Sequence, residues 1–83
     1  MEVVDLGDGV RVGAIFEESG KIKPVWFAYN GRRLAIERVT YAWKERDGDV
    51  SIRHYAVKVG GTVYELAFDT STLAWRLARS YIE

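Results

Sequence analysis

The chain has 83 residues, 48% of them hydrophobic, and its 12 lysines and arginines balance 12 aspartates and glutamates. This composition excludes an intrinsically disordered chain, which combines low hydrophobicity with high net charge. The absence of cysteine excludes a disulfide framework and a thiolate zinc site. We expect a single domain across residues 1–83, with a core supplied largely by three Trp, five Tyr and three Phe.

The first 20 residues are acidic, since Arg11 is their one cation against five carboxylates. They contain no basic region followed by an apolar run, so we expect no signal peptide. No stretch of the chain approaches the roughly 20 apolar residues that span a bilayer. A small domain without cysteine is typical of the cytoplasm, which is the compartment we predict, and we expect no cofactor and no metal ion.

The first two predicted strands are residues 10–17 and 24–29. Apolar residues at alternate positions predict that the first strand has one buried face. The second strand is apolar on both faces, and Pro24 is predicted at its first position, where the missing N–H costs little. Asn30-Gly31 follows, and both residues tolerate the positive φ that a type I′ turn requires, which predicts a hairpin to a third strand beginning at Arg32.

The third run holds two sets of apolar residues with opposite parity. These are Leu34 and Ile36 in one set, and Val39, Tyr41 and Trp43 in the other. One strand accommodates both sets only with an extra residue, so we predict a β-bulge or bend near Glu37–Arg38. The same residues fit helical spacing, but the preceding turn and the strand-forming side chains favour a strand.

The fourth predicted strand, residues 50–59, lies between turns centred on Asp47-Gly48 and Gly60-Gly61. A fifth strand follows, in which Tyr64, Leu66 and Phe68 share one face.

The last run, residues 73–82, fits two structures. As a strand after the polar turn "DTST", it directs four large residues toward the core: Leu73, Trp75, Leu77 and Tyr81. As a helix, it has Thr72 as N-cap and a stripe of three of those residues. The short turn favours a hairpin. We therefore predict an all-β fold, a meander of five or six antiparallel strands forming a small barrel or roll, with an α+β fold carrying a C-terminal helix as the alternative.

Residues suited to enzyme chemistry are few. His54 is the only histidine, and we expect it to be a solvated residue on the polar face of its strand. The pairs Glu17-Glu18 and Asp47/Asp49 lie in predicted turns, where carboxylates are ordinary. The glycines form no phosphate-binding pattern. We predict a protein without catalytic residues.

Aromatic and cationic residues interleave around the central hairpin and give the candidate interaction residues. They are Trp26, Tyr29, Arg32, Arg33, Arg38, Tyr41, Arg53 and Tyr55. Small β-barrels bind single strands by stacking bases on such rings beside a basic groove. Alternatively, most of the rings fill the core while the arginines cover its rim with their apolar stems. The neutral total charge favours this second interpretation.

These observations predict a non-enzymatic interaction module that binds its own copy. The second strand is apolar on both faces, so an edge strand or an aromatic patch could form a homodimer. The alternative function is a single-stranded nucleic-acid-binding barrel that uses the arginines and aromatic residues, and no membrane partner is expected.

Residues 24–77 contain a pattern of motifs in two segments, "PVWFAYNGRRLAIERVTYAW" and "HYAVKVGGTVYELAFDTSTLAWRL". With this pattern the chain resembles a group of short bacterial proteins with no established function. The shared features are a proline-led aromatic run, a Gly-Arg hairpin, a Glu-Arg-Val stretch leading to Trp, and a closing Trp-x-Leu. The resemblance implies a compact all-β domain of uncharacterised role. It carries over no catalytic residue, and the acidic segment lies outside it.

Overall fold

The computed structural model describes residues 2–82, which form eight β-strands and no helix. The strands are β1 (Glu2–Gly9), β2 (Val12–Phe16), β3 (Ile22–Tyr29), β4 (Arg32–Ala35), β5 (Arg38–Asp47), β6 (Val50–Val59), β7 (Thr62–Asp69) and β8 (Ala74–Ile82). A five-stranded sheet has the order β1-β8-β7-β6-β5, and a three-stranded sheet has the order β2-β3-β4. All pairs are antiparallel. The all-β class is confirmed, and the helices considered for residues 34–44 and 73–82 are wrong.

The chain first passes from one sheet to the other between Val10 and Arg11. The Val10 N–H donates to the Trp75 carbonyl of the large sheet at 3.1 Å, whereas the Arg11 carbonyl accepts from Ala28 of the small sheet at 2.9 Å. The first predicted strand is therefore the continuation of β1 around a bend. The acidic segment, for which no strand was predicted, forms β1 at the edge of the large sheet.

The second passage lies at Ile36–Glu37, one residue before the predicted bend. The Ile36 N–H donates to the Val25 carbonyl at 3.0 Å, and the Glu37 N–H donates to the Lys58 carbonyl at 2.9 Å. The third predicted strand is thus divided into β4 and β5, which belong to different sheets. Two bent segments join the sheets into a roll, and the hydrogen-bonded ladder does not close into a barrel.

A β-bulge interrupts the pairing of β5 with β6 shortly after this bend. Val39 pairs with Val57, but Tyr41 pairs with Ala56, so Thr40 is the extra residue. Because Val57 and Ala56 face opposite sides of the sheet, Tyr41 lies on the outer side, away from Val39. The shared face predicted for Val39 and Tyr41 is therefore wrong.

The core lies between the two sheets and takes its largest fully buried side chains from both. They are Phe27, Leu66, Leu77, Val57 and Pro24. Phe27 packs edge-on against Tyr64, with ring centroids 5.1 Å apart. Tyr55 and Phe68 are 6% and 3% exposed, so several of the aromatic residues fill the interior as expected. Each such side chain contributes about 1.5–3 kcal/mol by its burial.

The β3–β4 hairpin turn has the φ values that its sequence predicts. Asn30 and Gly31 have φ of 51° and 73°, as a type I′ turn requires. The β5–β6 turn is centred on Gly48-Asp49, one residue later than predicted, because Asp47 pairs with Val50. Pro24 is the third residue of β3 rather than the first, and it lies beside a bulge in the pairing with β2, where a ladder hydrogen bond is dispensable.

The β7–β8 turn is organised by Asp69. Its carboxylate accepts hydrogen bonds from the Ser71 hydroxyl at 2.6 Å, the Ser71 N–H at 2.8 Å and the Thr72 N–H at 3.2 Å. The bonds from Ser71, its hydroxyl above all, lower the pKa of Asp69. Leu73 closes the turn with φ of 61° and is 70% exposed, so its predicted place in the core is wrong.

An ion-pair chain links β1 to the outer side of the large sheet. Arg79 on β8 lies 3.2 Å from the Glu65 carboxylate and 3.8 Å from Asp5 on β1. Glu65 is 8% exposed, so the guanidinium compensates a charge that has little access to water. A bulge between Leu77 and Arg79 directs Tyr81 to this same outer side, which corrects its predicted place in the core.

Candidate functional site

A cleft of about 790 Å³ opens where the two sheets separate, between the β2–β3 turn and the edge strand β5. Five cationic residues line it: Lys21, Lys23, Arg38, Lys44 and Arg53. Two carboxylates, Glu17 and Glu37, oppose them. Glu37 already accepts a hydrogen bond from the Gly60 N–H. The cleft is therefore cationic, although the whole chain is formally neutral.

The β2–β3 turn places two of these cations on one side of the cleft. The Glu17 N–H donates to the Lys21 carbonyl and the Gly20 N–H donates to the Glu17 carbonyl, both at 2.9 Å. Successive residues of a strand point to opposite sides. Ile22 is buried, so Lys21 and Lys23 on either side of it extend outward.

Tyr55 and Arg53 on β6 line the cleft together with Lys44 on β5. Tyr55 is 6% exposed, and burial raises the pKa of its hydroxyl, an effect that the hydrogen bond and charge of Arg53 partly offset. The hydroxyl is therefore neutral at physiological pH. Arg53 and Lys44 are directly paired across β5 and β6, so two positive charges lie side by side in the cleft.

Tyr41 and Trp43 belong to the edge strand β5, which borders the cleft, and their rings form a column with His54 on the outer side of the large sheet. Tyr41 stacks on Trp43 with centroids 5.4 Å apart at 28°, and Trp43 stacks on His54 at 5.0 Å and 5°. The His54 Nε2 lies 2.9 Å from a Glu45 carboxylate oxygen. The His54 side chain is only 13% exposed, so the solvated histidine expected from the sequence is wrong, because Trp43 covers the ring.

The eight predicted interaction residues separate into two groups. Arg38, Tyr41, Arg53 and Tyr55 line the cleft.

The other four lie apart from the cleft. The Arg33 guanidinium lies 3.9 Å above the Trp26 ring, Tyr29 packs against Tyr64 with centroids 6.2 Å apart, and Arg32 is exposed at the start of β4. These four residues therefore contribute to packing and surface rather than to the cleft.

Sequence reasoning missed the three lysines of the cleft and the rim position of Trp43. Lys21 and Lys23 alternate with buried Ile22 and Pro24, a period-2 signal that extends β3 toward the turn. Lys44 gives no local signal, because its place depends on the bulge and on the separation of the sheets.

Residues 2–82 include no helix of the length and apolarity needed to cross a membrane. Across the same span, no three acidic or histidine side chains are grouped so that they could hold a metal ion. Comparisons with known protein families, with curated proteins and with solved structures gave no match to this chain. Its membership in the group of bacterial proteins that it resembles stays a prediction.

Proposed function

We propose that the protein is a non-enzymatic binder of single-stranded nucleic acid, which it holds in the cationic cleft. The observation that carries the proposal is the excess of five cations over two carboxylates in a cleft bordered by exposed Tyr41. Phosphate contacts from lysine and arginine supply most of the affinity of non-specific binding. Proteins that bind single strands combine such a groove with aromatic rings.

The exposed ring favours a single strand over a duplex. Tyr41 is 66% exposed, and an aromatic side chain stacks only on a base whose own face is free. The bases of a duplex are already stacked on each other. The alternative function derived from the sequence is thus the one that the geometry supports best, and the cytoplasm remains the predicted compartment.

Fluorescence anisotropy with a labelled oligothymidine at two salt concentrations tests this proposal. Each lost phosphate contact should lower the slope of log affinity against log salt by about 0.7. We expect that decrease for Lys44→Gln and for Arg53→Gln. Arg32→Gln is the matched control, since it removes an exposed cation outside the cleft. Absence of binding at low salt, or an equal effect of the control, would contradict the proposal.

Self-association is a second candidate function, and the outer edge of β2 favours it. Among the described residues β2 pairs only with β3, and Val12–Phe16 contains no charged residue. Ile15 and Phe16 are 50% and 62% exposed. We propose that a second copy pairs here antiparallel, because this edge places no like charges opposite each other.

Light scattering at micromolar concentration tests the second candidate. We expect a dimer that Ile15→Lys converts to a monomer, whereas Val3→Lys on the exposed edge of β1 leaves the dimer intact. A monomeric wild-type protein would exclude self-association through β2, without bearing on the cleft.

A further inference from the structure

We propose, building on the proposed function, that Tyr41 is the residue on which a nucleobase stacks. In this view Trp43, His54 and Glu45 are positioning residues that hold the Tyr41 ring ready at the rim of the cleft. The base would extend an aromatic column that already exists in the free protein.

The geometry of the column supports this assignment. Trp43 and His54 are directly paired across β5 and β6, and their stacked rings are nearly parallel, at 5°. Tyr41 also stacks on Trp43 and is 66% exposed. The column therefore has a mostly buried end, at His54, and an exposed end, at Tyr41.

The β-bulge at Thr40 determines where the exposed end lies. Without the extra residue, Tyr41 would share the side of Val39, which faces the core. The Thr40 hydroxyl donates to the Ala56 carbonyl at 3.2 Å, which satisfies a backbone oxygen at the irregular position. Bulges commonly redirect a side chain beside a binding site. Here the bulge turns the Tyr41 ring to the outer side of the edge strand that borders the cleft, the side of Arg38, whereas Lys44 pairs with Arg53 on the opposite side.

The mostly buried end of the column is fixed by the hydrogen bond between His54 and Glu45, at 2.9 Å. Because Trp43 also stacks on His54, Tyr41 packs against a ring that is itself held in place. A ring that is already ordered loses little conformational entropy when a ligand binds. Stacking on such a ring is sequence-tolerant, since every base has a π face.

The test compares an oligothymidine with an abasic strand of the same length and backbone. We expect the wild-type protein to bind oligothymidine about tenfold more tightly than the abasic strand. Tyr41→Leu should bind both strands with the affinity of the abasic one, and Tyr41→Phe should retain the preference. Tyr41 is exposed, so neither variant should impair folding.

The outcomes separate this inference from the proposed function. Equal wild-type affinity for the two strands, with salt-dependent binding that Lys44→Gln weakens, would overturn stacking and leave the cleft as the binding site. Failure of both strands to bind at low salt would overturn both proposals. Loss of the base preference in Tyr41→Leu, with abasic binding unchanged, would support both.

His54 provides a separate test of the positioning role. His54→Ala should remove much of the preference for oligothymidine while leaving abasic binding unchanged, and His54→Phe, which restores a flat ring, should recover it. Near-ultraviolet circular dichroism should report the altered Trp43 environment in His54→Ala. An unchanged preference in His54→Ala, or an equal loss of affinity for both strands, would overturn the positioning role.

Discussion

Replacing Gly13 by alanine tests whether the Trp26 indole is held directly against the backbone of β2. A Cβ built on Gly13 would lie 1.9 Å from Nε1 and 2.2 Å from Cε2 of Trp26. Carbon atoms in favourable contact are about 3.5–4.0 Å apart. The indole must therefore leave its position, and its contact with the Arg33 guanidinium, 3.9 Å from the ring centroid, is lost with it.

The magnitude follows from the surface that Trp26 gives up. A packed tryptophan buries roughly 150–250 Å², and Trp26 is half-buried. Displacing its indole exposes on the order of 100 Å² of apolar surface, which costs about 2.5 kcal/mol. Loss of the cation–π contact costs a further amount of about 0.5–1 kcal/mol. The alanine variant has a lower conformational entropy in its unfolded state, which offsets the loss of stability by a similar amount. We expect a loss of about 2–3 kcal/mol in the free energy of unfolding.

Urea unfolding of four proteins measures this effect: wild type, Gly13→Ala, Trp26→Ala and the double variant. Trp43 and Trp75 remain as fluorescence probes when Trp26 is absent. With the indole removed, Gly13→Ala should become stabilising by about 0.5 kcal/mol, since only the entropy term remains. If Gly13→Ala is as stable as the wild type while Trp26 is present, the close packing that we describe is refuted.

Three further predictions concern single sites. Leu73→Gly should raise the free energy of urea unfolding by up to about 1 kcal/mol, because leucine is strained at φ of 61°; a decrease would contradict this. Hydrogen bonds from Ser71 lower the pKa of Asp69, so the ionised Asp69 carboxylate stabilises the fold above about pH 4. This contribution should be lost as the pH falls through the pKa of Asp69 in the folded protein. Thermal melts of Asp69→Asn should lack that part of the pH dependence. Arg79→Met should lower the free energy of unfolding in urea by about 1–2 kcal/mol, because it leaves Glu65 buried without its cation, and adding Glu65→Gln should recover part of the loss.

The hairpin turns could be predicted because their conformations are decided locally. Asn30, Gly31 and Gly60 have positive φ, as the residue types of these turns predict, and the paired segments follow from alternation. The strand at residues 73–82 was predicted in the same way, because a short polar turn after a strand usually leads the chain back antiparallel to that strand.

Features that depend on distant residues could not be predicted in the same way. β1 has charged residues and glycines in place of an alternating apolar pattern, and it is a strand because β8 lies beside it. The bulge at Thr40 moves Tyr41 to the opposite side of the sheet, which parity in the sequence cannot reveal. The cleft gathers Lys23 and Lys44 from separate sheets, so only the folded chain shows that they are neighbours.

The pairing of β1 with β8 has a consequence for the order in which the domain assembles. The hairpins of β5 to β8 join neighbours in sequence and can close within microseconds, whereas β1 pairs at Glu2↔Ile82, at opposite ends of the described chain. Contacts of such high sequence separation form late. We therefore expect β1 to be the last strand to dock and the first to detach, so that its amide hydrogens exchange with solvent well before those of β6 and β7.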